Sequence, residues 1–355
     1  MRGVRVFSMN KHPMVLAARV FLAVCAAASS LVSCTAARPS VGLFLYNESD
    51  PYIREFARQI GSSMPARFTL TTFDAGNSQP IQNDQIESML SGRYKPVLVM
   101  INPVDRLASY AIIQRLKEAG IPIIFFNREP LLTDLQSWSE VCYVGARAEQ
   151  SGQLQARLVM SLFGGKPGSL NEYDRNRDGV IQTILFKGEQ GHQDAEIRTR
   201  EVLSAFESRG FAIQVLALEV ANWNQDQAYE RTGNLLRDHD GKIELIISNN
   251  DAMALGAISR LRQAGAFRDT NGNGKVDRGD AGWIPVVGID GLREAEEAIV
   301  QGFLYGTVRN DSASMARAMV ERALIMTGSL DPASAEFPLQ DGSYIWIDYR
   351  PYSAQ

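Results

Sequence analysis

Short apolar runs alternate with amphipathic stretches between residues 41 and 145. The runs are rich in β-branched and aromatic residues, which is typical of strands buried on both faces. They are VGLFLY (41–46), RFTLTTFDA (67–75), PVLVMI (96–101) and IPIIFFN (121–127). Between them, apolar residues recur at helical spacing, and RLASYAIIQRLKEAG ends in a glycine cap. This alternation predicts a parallel sheet with helices on both faces.

The same alternation restarts after residue 145. Its strand runs are GVIQTILFKG (179–188), FAIQVLALEV (211–220), KIELIISNN (242–250) and WIPVVGID (283–290), with helical patterns between them. Beyond these runs, GTVRNDSASMARAMVERALIMTG adds a strand and a helix, and YIWIDYRP adds a last strand. We therefore expect an α/β protein of two domains, with the final segments completing both sheets.

The two halves end their strands in the same way. An Ile-Pro pair opens a strand that ends at Asn127 in the first half and at Asp290 in the second. The preceding strands end in asparagine, at Asn102 and at Asn249-Asn250. Because ligands of open α/β sheets bind beyond the carboxyl ends of the strands, two facing halves would enclose a binding cleft.

Composition and missing motifs exclude several classes of protein. Hydrophobic residues are 45% and charged residues 21%, a balance typical of soluble globular proteins. The net charge of −4, without a strongly basic block, argues against nucleic acid as a partner. The sequence has no GxSxG, P-loop, CxxC or HExxH motif and no GxGxxG after a strand. With only His192 and His239 beyond residue 33, we expect neither an enzyme nor an organic cofactor.

Residues 1–33 have the features of a secretory signal peptide. Four basic residues and no acid accompany an apolar run that is too short to span a membrane. The tetrad LVSC (31–34) resembles a bacterial lipobox, which predicts lipidation of Cys34, residues 34–40 as a tether and an extracytoplasmic, membrane-anchored protein. An ordinary signal peptide with a chance cysteine is the alternative. Only Cys142 then remains in the mature chain, so no internal disulfide is expected.

Polar and aromatic side chains at the strand ends suit a sugar ligand. Hydroxyl groups donate and accept, and carboxylates, arginine and asparagine supply both kinds of partner. The apolar face of a pyranose ring fits between aromatic rings such as Tyr52 and Trp223. Taken singly, Asp50 and Asp194 are also typical helix caps, and Asn102 is a typical turn residue. Their recurrence at matching ends of two half-domains favours a shared binding site.

Several segments are together similar to the bacterial periplasmic galactose/glucose-binding proteins, the soluble receptors of the methyl-galactoside ABC transporter. These segments are FFNREP, KGEQGHQDAEIRT, ISNNDAMALGA, IPVVGID and GTVRND. The resemblance covers roughly residues 41–350. It implies a two-domain type I periplasmic binding fold, in a monomer that closes on D-glucose or D-galactose and delivers it to a membrane permease. A chemotaxis transducer is a further implied partner.

The resemblance also implies which residues contact the sugar. They are Tyr46, Asp50, Tyr52, Asn102, His192, Asp194, Arg198, Trp223, Asn250, Asp290 and Asn310. Two positions depart from the family pattern: Tyr52 stands where the best-known members have Phe, and Asn222 stands where an apolar residue is expected. Asp50 serves the 4-hydroxyl of either epimer in the family, so glucose and galactose both fit.

Three hinge crossings are implied, near residues 124–127, 310–312 and 343–346. The first domain would then comprise residues 41–124 and 311–344. The second domain would comprise residues 125–310 and 345–355 and carry a calcium site.

A calcium loop is suggested by DRNRDGVIQ (174–182). Alternating Asp174, Asn176 and Asp178 before a glycine form the opening half of an EF-hand loop, but its twelfth position is Leu185 instead of glutamate. The resemblance implies a structural calcium ion whose ligands include a carboxylate from a distant strand. The implied ligands are Asp174, Asn176, Asp178, the carbonyl of Val180, Gln182 and Glu244. A polar turn without metal is the alternative.

A second candidate loop is DTNGNGKVDRGD (269–280). Its candidate ligands are Asp269, Asn271, Asn273, Lys275 through its carbonyl, Asp277 and Asp280. Because an aspartate at the twelfth position reaches less far than glutamate, we expect weak affinity, and a solvated Gly/Asn loop is the alternative.

The sequence leaves three other functions to be considered. Sugar-responsive repressors share this core fold but need an N-terminal helix-turn-helix, where this chain has a signal peptide. A chemosensory sugar receptor and a related lipoprotein for pentoses, nucleosides or autoinducer are the other candidates. The combination of His192, Asp194 and Arg198 with Trp223 favours a hexose.

Overall fold

The computed structural model describes residues 1, 3, 38–92 and 95–353, so the lipobox and Cys34 lie outside the described residues. The first half of the described chain contains five strands and four helices. They are β1 (Ser40–Leu45), α1 (Pro51–Ser63), β2 (Thr69–Asp74), α2 (Gln79–Ser91), β3 (Leu98–Ile101), α3 (Ser109–Glu118), β4 (Ile123–Phe126), α4 (Leu132–Leu135) and β5 (Val141–Gly145). Short 3-10 turns lie at Arg106–Ala108 and, much later, at Pro332–Ser334.

The second half continues the alternation and then returns. Its elements are α5 (Ala148–Leu162), β6 (Val180–Lys187), α6 (Gln193–Ser208), β7 (Ala212–Val220), α7 (Gln225–Asp238), β8 (Leu245–Ser248), α8 (Asp251–Gln263), β9 (Val286–Asp290), α9 (Arg293–Val300) and β10 (Gly306–Arg309). The final elements are α10 (Ser312–Met326), β11 (Tyr344–Trp346) and β12 (Arg350–Ser353).

The strands form two six-stranded sheets. The first has the order β11-β5-β4-β3-β1-β2 and is parallel throughout. The second has the order β12-β10-β9-β8-β6-β7, and only its edge strand β12 runs antiparallel to its neighbour. With helices flanking both sheets, the predicted two-domain type I fold is confirmed. We call the two sheets with their helices the first and second lobes.

Sheet membership corrects the predicted domain boundary at residue 125. Strand β5 pairs with β4, so the first lobe extends to Gly145 and the first crossing lies at residues 146–147. Helix α10 packs against α1, which places the second crossing at residues 310–311. Because β11 pairs with β5 and β12 pairs with β10, the third crossing lies at residues 347–349. Strand β5 is a short buried run, VCYVG, that was not among the predicted strands.

The apolar strand runs are explained by burial on both faces of each sheet. Along β4, Ile123 and Phe125 join the core on one face, while Ile124 and Phe126 join the core on the other. This division follows from the two-residue repeat of a strand. The edge strands β2 and β7 instead carry exposed positions. Among the described residues, no helix is long and apolar enough to cross a membrane.

Candidate functional site

The carboxyl ends of the strands bring residues from both lobes around one narrow space. Tyr46, Asp50, Tyr52 and Asn127 come from the first lobe, and His192, Asp194, Arg198, Trp223, Asn250 and Asp290 come from the second. Nine of these ten residues belong to the predicted sugar site. The free volume between the side chains is only about 30 Å³, enough for two or three water molecules. A hexose therefore needs the lobes or the side chains to move apart before it enters.

On the first lobe, the loop after β1 combines a helix cap with a candidate sugar acceptor. One carboxylate oxygen of Asp50 accepts from the backbone N–H groups of Tyr52 and Ile53 at 2.9 and 3.3 Å, which caps α1. The other oxygen accepts from the hydroxyl of Tyr46 at 2.5 Å. The structural and functional interpretations of Asp50 are thus compatible, because the cap fixes the carboxylate at the edge of the cleft.

His192 caps the N-terminus of α6 in the second lobe. Its Nδ1 accepts from the backbone N–H of Asp194 at 3.1 Å, so the neutral ring carries its proton on Nε2. Burial, together with the nearby cations Arg128 and Arg198, holds the pKa of His192 well below its usual value. The ring is therefore neutral at ordinary pH and offers an N–H donor toward a ligand.

Arg198 is the central cation of the cleft and is almost fully buried. Its guanidinium lies 3.5 Å from Asp194 and 3.7 Å from Asp290. It also donates to the carbonyl of Asn249 at 2.7 Å and to the hydroxyl of Tyr349 at 3.0 Å. Among the described residues its Nε has no hydrogen-bond partner, which leaves one buried donor for a ligand or water.

Burial and charge oppose each other in this cluster. Burial lowers the pKa of Arg198, but Tyr349 and the two carboxylates outweigh it, so its pKa is raised overall. Burial raises the pKa of Asp194 and of Asp290, and Arg198 partly offsets that effect. The arginine is thus the group that favours the ionised forms of the two buried carboxylates.

Trp223 forms an apolar wall on the second lobe. A Cβ atom at Gly188 would overlap the indole, so the glycine is required to make room for it. The ring meets His192 edge-on with centroids 5.1 Å apart, and Arg198 lies 5.6 Å from its centroid. Asn222 and Trp223 both have left-handed backbone angles, with φ of 50° and 61°. Such strained positions are common where a side chain must be held for binding.

The predicted asparagines occupy different places. Asn250 lines the cleft, caps α8 and donates to the carbonyl of Trp223 at 3.3 Å. Asn102 and Asn310 lie outside the lining, although each has a buried Oδ1 without a partner among the described residues. Asn102 instead donates to Oδ1 of Asn127 at 3.2 Å, and that residue lines the cleft.

Three residues of this region are not among the predicted sugar contacts. Asn127 stands at the end of a strand run, a signal that could have placed it in the site. Arg128 lies over the ring of Tyr46, with its guanidinium carbon 4.1 Å from the centroid. Tyr349 belongs to the third crossing and holds Arg198. The roles of the last two depend on contacts that no local pattern reveals.

The first calcium-loop candidate folds as a closed turn around Asp174. The two oxygens of Asp174 accept from the backbone N–H groups of Asp178 and Gly179 at 3.2 and 2.9 Å. Glu244 reaches the loop from the segment before β8, although it is distant in sequence. Its two oxygens accept from the backbone N–H groups of Arg175 and Gln182 at 2.6 and 3.2 Å.

The donor set of this loop fits a hard cation. Glu244 is only 2% exposed and has no cationic side chain within ion-pair distance among the described residues. Burial raises its pKa, as expected for a carboxylate without a counter-charge. The Oε1 atom of Gln182 is buried and accepts no hydrogen bond from the part of the chain that the structure describes. Calcium prefers such carboxylate and amide oxygens, and the loop lacks the nitrogen and sulfur ligands of transition-metal sites.

The second loop repeats the hydrogen-bond pattern of the first. Asp269 accepts from the backbone N–H groups of Asn273 and Gly274 at 3.2 and 2.8 Å. Asp280 accepts from those of Thr270 and Asp277 at 2.6 and 2.8 Å, in the manner of Glu244 in the first loop. These bonds explain the turn without a metal. Within the described ranges, no three His, Cys, Asp or Glu residues cluster as metal ligands, and both loops rely on amide oxygens as well.

A family profile and a curated relative both match most of the chain and both describe periplasmic binding proteins. The profile described as "Periplasmic binding protein domain" matches residues 41–328. Over 289 residues, the chain is 34% identical to the D-galactose/methyl-galactoside binding periplasmic protein MglB of Haemophilus influenzae, and the match covers 81% of each chain.

Solved structures share the fold at low sequence identity. A periplasmic solute binding protein of an Actinobacillus succinogenes ABC transporter, with bound D-allose, matches with a TM-score of 0.70 and 21% identity, covering 89% of this chain and 97% of that one. The Caulobacter myo-inositol binding protein matches with a TM-score of 0.69 and 19% identity, covering 91% and 96%. At these identities, the likeness supports the architecture and leaves the ligand open.

Proposed function

Because the chain belongs to the periplasmic binding protein family, whose members are non-enzymatic solute receptors, we propose that it is an extracytoplasmic receptor for D-glucose or D-galactose. The sugar binds between the lobes, favours their closure and is delivered to the membrane permease of an ABC transporter. The similarity to a galactose-binding relative supports this choice among sugars.

One observation carries the proposal: acceptors and donors from both lobes converge on a space bordered by an indole. Asp50 contributes a carboxylate from the first lobe, and Asp194 and Asp290 contribute carboxylates beside Arg198 from the second. Hydroxyl groups of a hexose can donate to the carboxylates and accept from the guanidinium. Trp223 offers an apolar face for the C–H surface of the ring.

Calorimetric titration of the protein with four ligands tests the proposal. We expect one equivalent of D-glucose or D-galactose to bind, with weaker or no binding of D-ribose and adenosine. A ribose ring lacks part of the hexose hydroxyl set and would leave buried groups unpaired. D-allose and myo-inositol belong in the same series, because structural neighbours contain them. Absence of heat with both glucose and galactose would reject the proposal. Tighter binding of another sugar in the series would assign that sugar as the ligand instead.

Membrane attachment and signalling are further parts of the proposal. Cys34 within the lipobox-like tetrad would carry the lipid that holds the receptor at a membrane. A chemotaxis transducer that recognises the closed form is compatible with transport. Mass spectrometry of the membrane-extracted N-terminus tests the lipid, since an unmodified cysteine would exclude it.

We also propose a structural calcium ion in the first loop. Asp174, Asn176, Asp178, Gln182 and Glu244 would hold it through side chains, together with the carbonyl of Val180. When bound, the ion supplies positive charge to the carboxylates of the loop and of Glu244. Because Glu244 lies just before β8, the ion would tie the loop to the second sheet. This role concerns stability rather than sugar binding.

Removal of calcium is expected to lower the melting temperature by several degrees without abolishing sugar binding at low temperature. An ion present at a hundredfold excess over its Kd stabilises by about 2.7 kcal/mol. Glu244→Gln should melt lower and become insensitive to chelator, whereas the exposed Glu87→Gln should behave as wild type. The measurement is scanning calorimetry with and without EDTA. A wild-type melt that ignores EDTA would refute the calcium site.

Calcium binding by the second loop stays a prediction. The number of calcium ions bound per chain tests it. One ion per chain, lost in Glu244→Gln, would assign binding to the first loop alone. Two ions, with the weaker one lost in Asp280→Asn, would add the second loop.

A further inference from the structure

Two polar contacts join the lobes on one side of the cleft. Arg128 Nη2 lies 3.1 Å from Glu189 Oε2, and Gln193 Nε2 donates to Glu129 Oε2 at 3.0 Å. Arg128 and Glu129 follow β4 in the first lobe, and their partners flank His192 in the second. Away from the three crossings, these are the side-chain hydrogen bonds that link the lobes among the described residues.

A neighbouring cavity between the lobes lacks such contacts. There, residues 46–51 of the first lobe face residues 222–226 of the second across a cavity. Within the described part of the chain, no hydrogen bond joins these two segments. Away from the three crossings, the polar connection between the lobes in the described residues is therefore concentrated in Arg128 and Glu129 of the first lobe.

Arg128 is held in place by its own lobe. Its side chain is only 7% exposed, lies over the ring of Tyr46 and donates to the carbonyl of Val104. Tyr46 in turn donates to Asp50, so the guanidinium packs directly on the sugar-binding surface. A cation fixed in this way needs little further ordering when Glu189 arrives from the second lobe.

We propose that Arg128–Glu189 and Glu129–Gln193 form a latch that stabilises the closed form of the receptor. The proposal rests on the proposed sugar-binding function, and it names a control element beside that site. These contacts exist only while the lobes are together, so they shift the equilibrium between open and closed forms. Glu189, Glu129 and Gln193 do not line the narrow space of the sugar site. Their contribution therefore appears in the closed population and in the rate of sugar release.

Small-angle X-ray scattering and stopped-flow release of D-galactose and D-glucose test the latch on the full chain. Without ligand, Glu189→Gln and Gln193→Ala are expected to show a larger radius of gyration than wild type. With sugar, the dissociation rate should rise roughly 3- to 10-fold, as for the loss of one partly exposed polar contact. Glu87→Gln is the matched control, because Glu87 pairs with Arg115 at 3.0 Å within the first lobe.

The possible outcomes separate the latch from the proposed function. If neither hexose binds wild type, the proposed function fails, while the scattering of the unliganded variants still decides the latch. If both variants match wild type and Glu87→Gln in size and release rate, the latch is refuted. Thermal melts identify a variant that does not fold, and the other latch variant then provides the test.

Discussion

Replacing Arg198 by methionine is expected to reduce sugar affinity by more than a hundredfold and to destabilise the protein by about 3–5 kcal/mol at pH 7. The guanidinium is buried between Asp194 and Asp290 and also donates to Asn249 and Tyr349. Methionine fills similar volume but leaves two buried carboxylates without their cation. Loss of a buried charge partner is among the most destabilising single changes.

The pH dependence of the Arg198→Met variant has a definite sign. Burial already raises the pKa of Asp194 and Asp290, and loss of the arginine raises both further. A raised folded-state pKa means that the folded protein binds more protons than the unfolded chain, so stability falls as pH rises. The difference in the free energy of unfolding between the variant and the wild type should therefore become smaller as the pH falls from 7 to 5.

Urea unfolding at pH 5 and pH 7 measures this effect. Arg200→Met is the matched control, because Arg200 is exposed and, among the described residues, pairs only with its neighbour Glu201. We expect its free energy of unfolding to change by no more than about 0.5 kcal/mol. The stability of Arg198→Lys should lie between those of the wild type and Arg198→Met, since an ammonium keeps the charge but loses the guanidinium fork. A pH-independent difference, or one below 1 kcal/mol at pH 7, would contradict the role given to Arg198.

The cleft residues were predictable because the fold places them by a simple rule. Asp50, Asp194 and Asp290 all stand just beyond the carboxyl end of a buried strand, and parallel strands bring those ends to one edge. The apolar runs that define the strands are strong signals, since they are buried on both faces. The hydrophobic pattern therefore located the strand ends, and the polar residues just beyond them became the predicted site residues.

The features without a local sequence signal share a physical cause: they depend on contacts between segments that are distant in sequence. Arg128 meets Glu189 only when the two lobes are placed against each other. Glu244 reaches the calcium-loop candidate from 62 residues beyond Gln182, and only the family resemblance indicated it. Strand β5 is a buried apolar run, and its place in the first sheet is set by its pairing with β4 and with β11 from the end of the chain.

Replacement of Trp223 by alanine is expected to lower hexose affinity by roughly 30- to 1,000-fold, as for an aromatic anchor of a binding site. The indole lines the cleft, packs over Gly188 and meets His192 edge-on. Its removal takes away the apolar wall that would face the C–H surface of the sugar. Stability should change less than affinity, because Trp223 is only half-buried.

Gly188→Ala tests the same wall by an independent route. The added methyl group would overlap the indole, so Trp223 must move although it is still present. We expect reduced affinity in this variant too, whereas Trp138→Ala, which removes an indole packed on the first-lobe core, should bind sugar normally once folded. Titration calorimetry measures all three. Normal affinity in Trp223→Ala would exclude the indole as a sugar contact, and normal affinity in Gly188→Ala alone would show that the ring can shift and still bind.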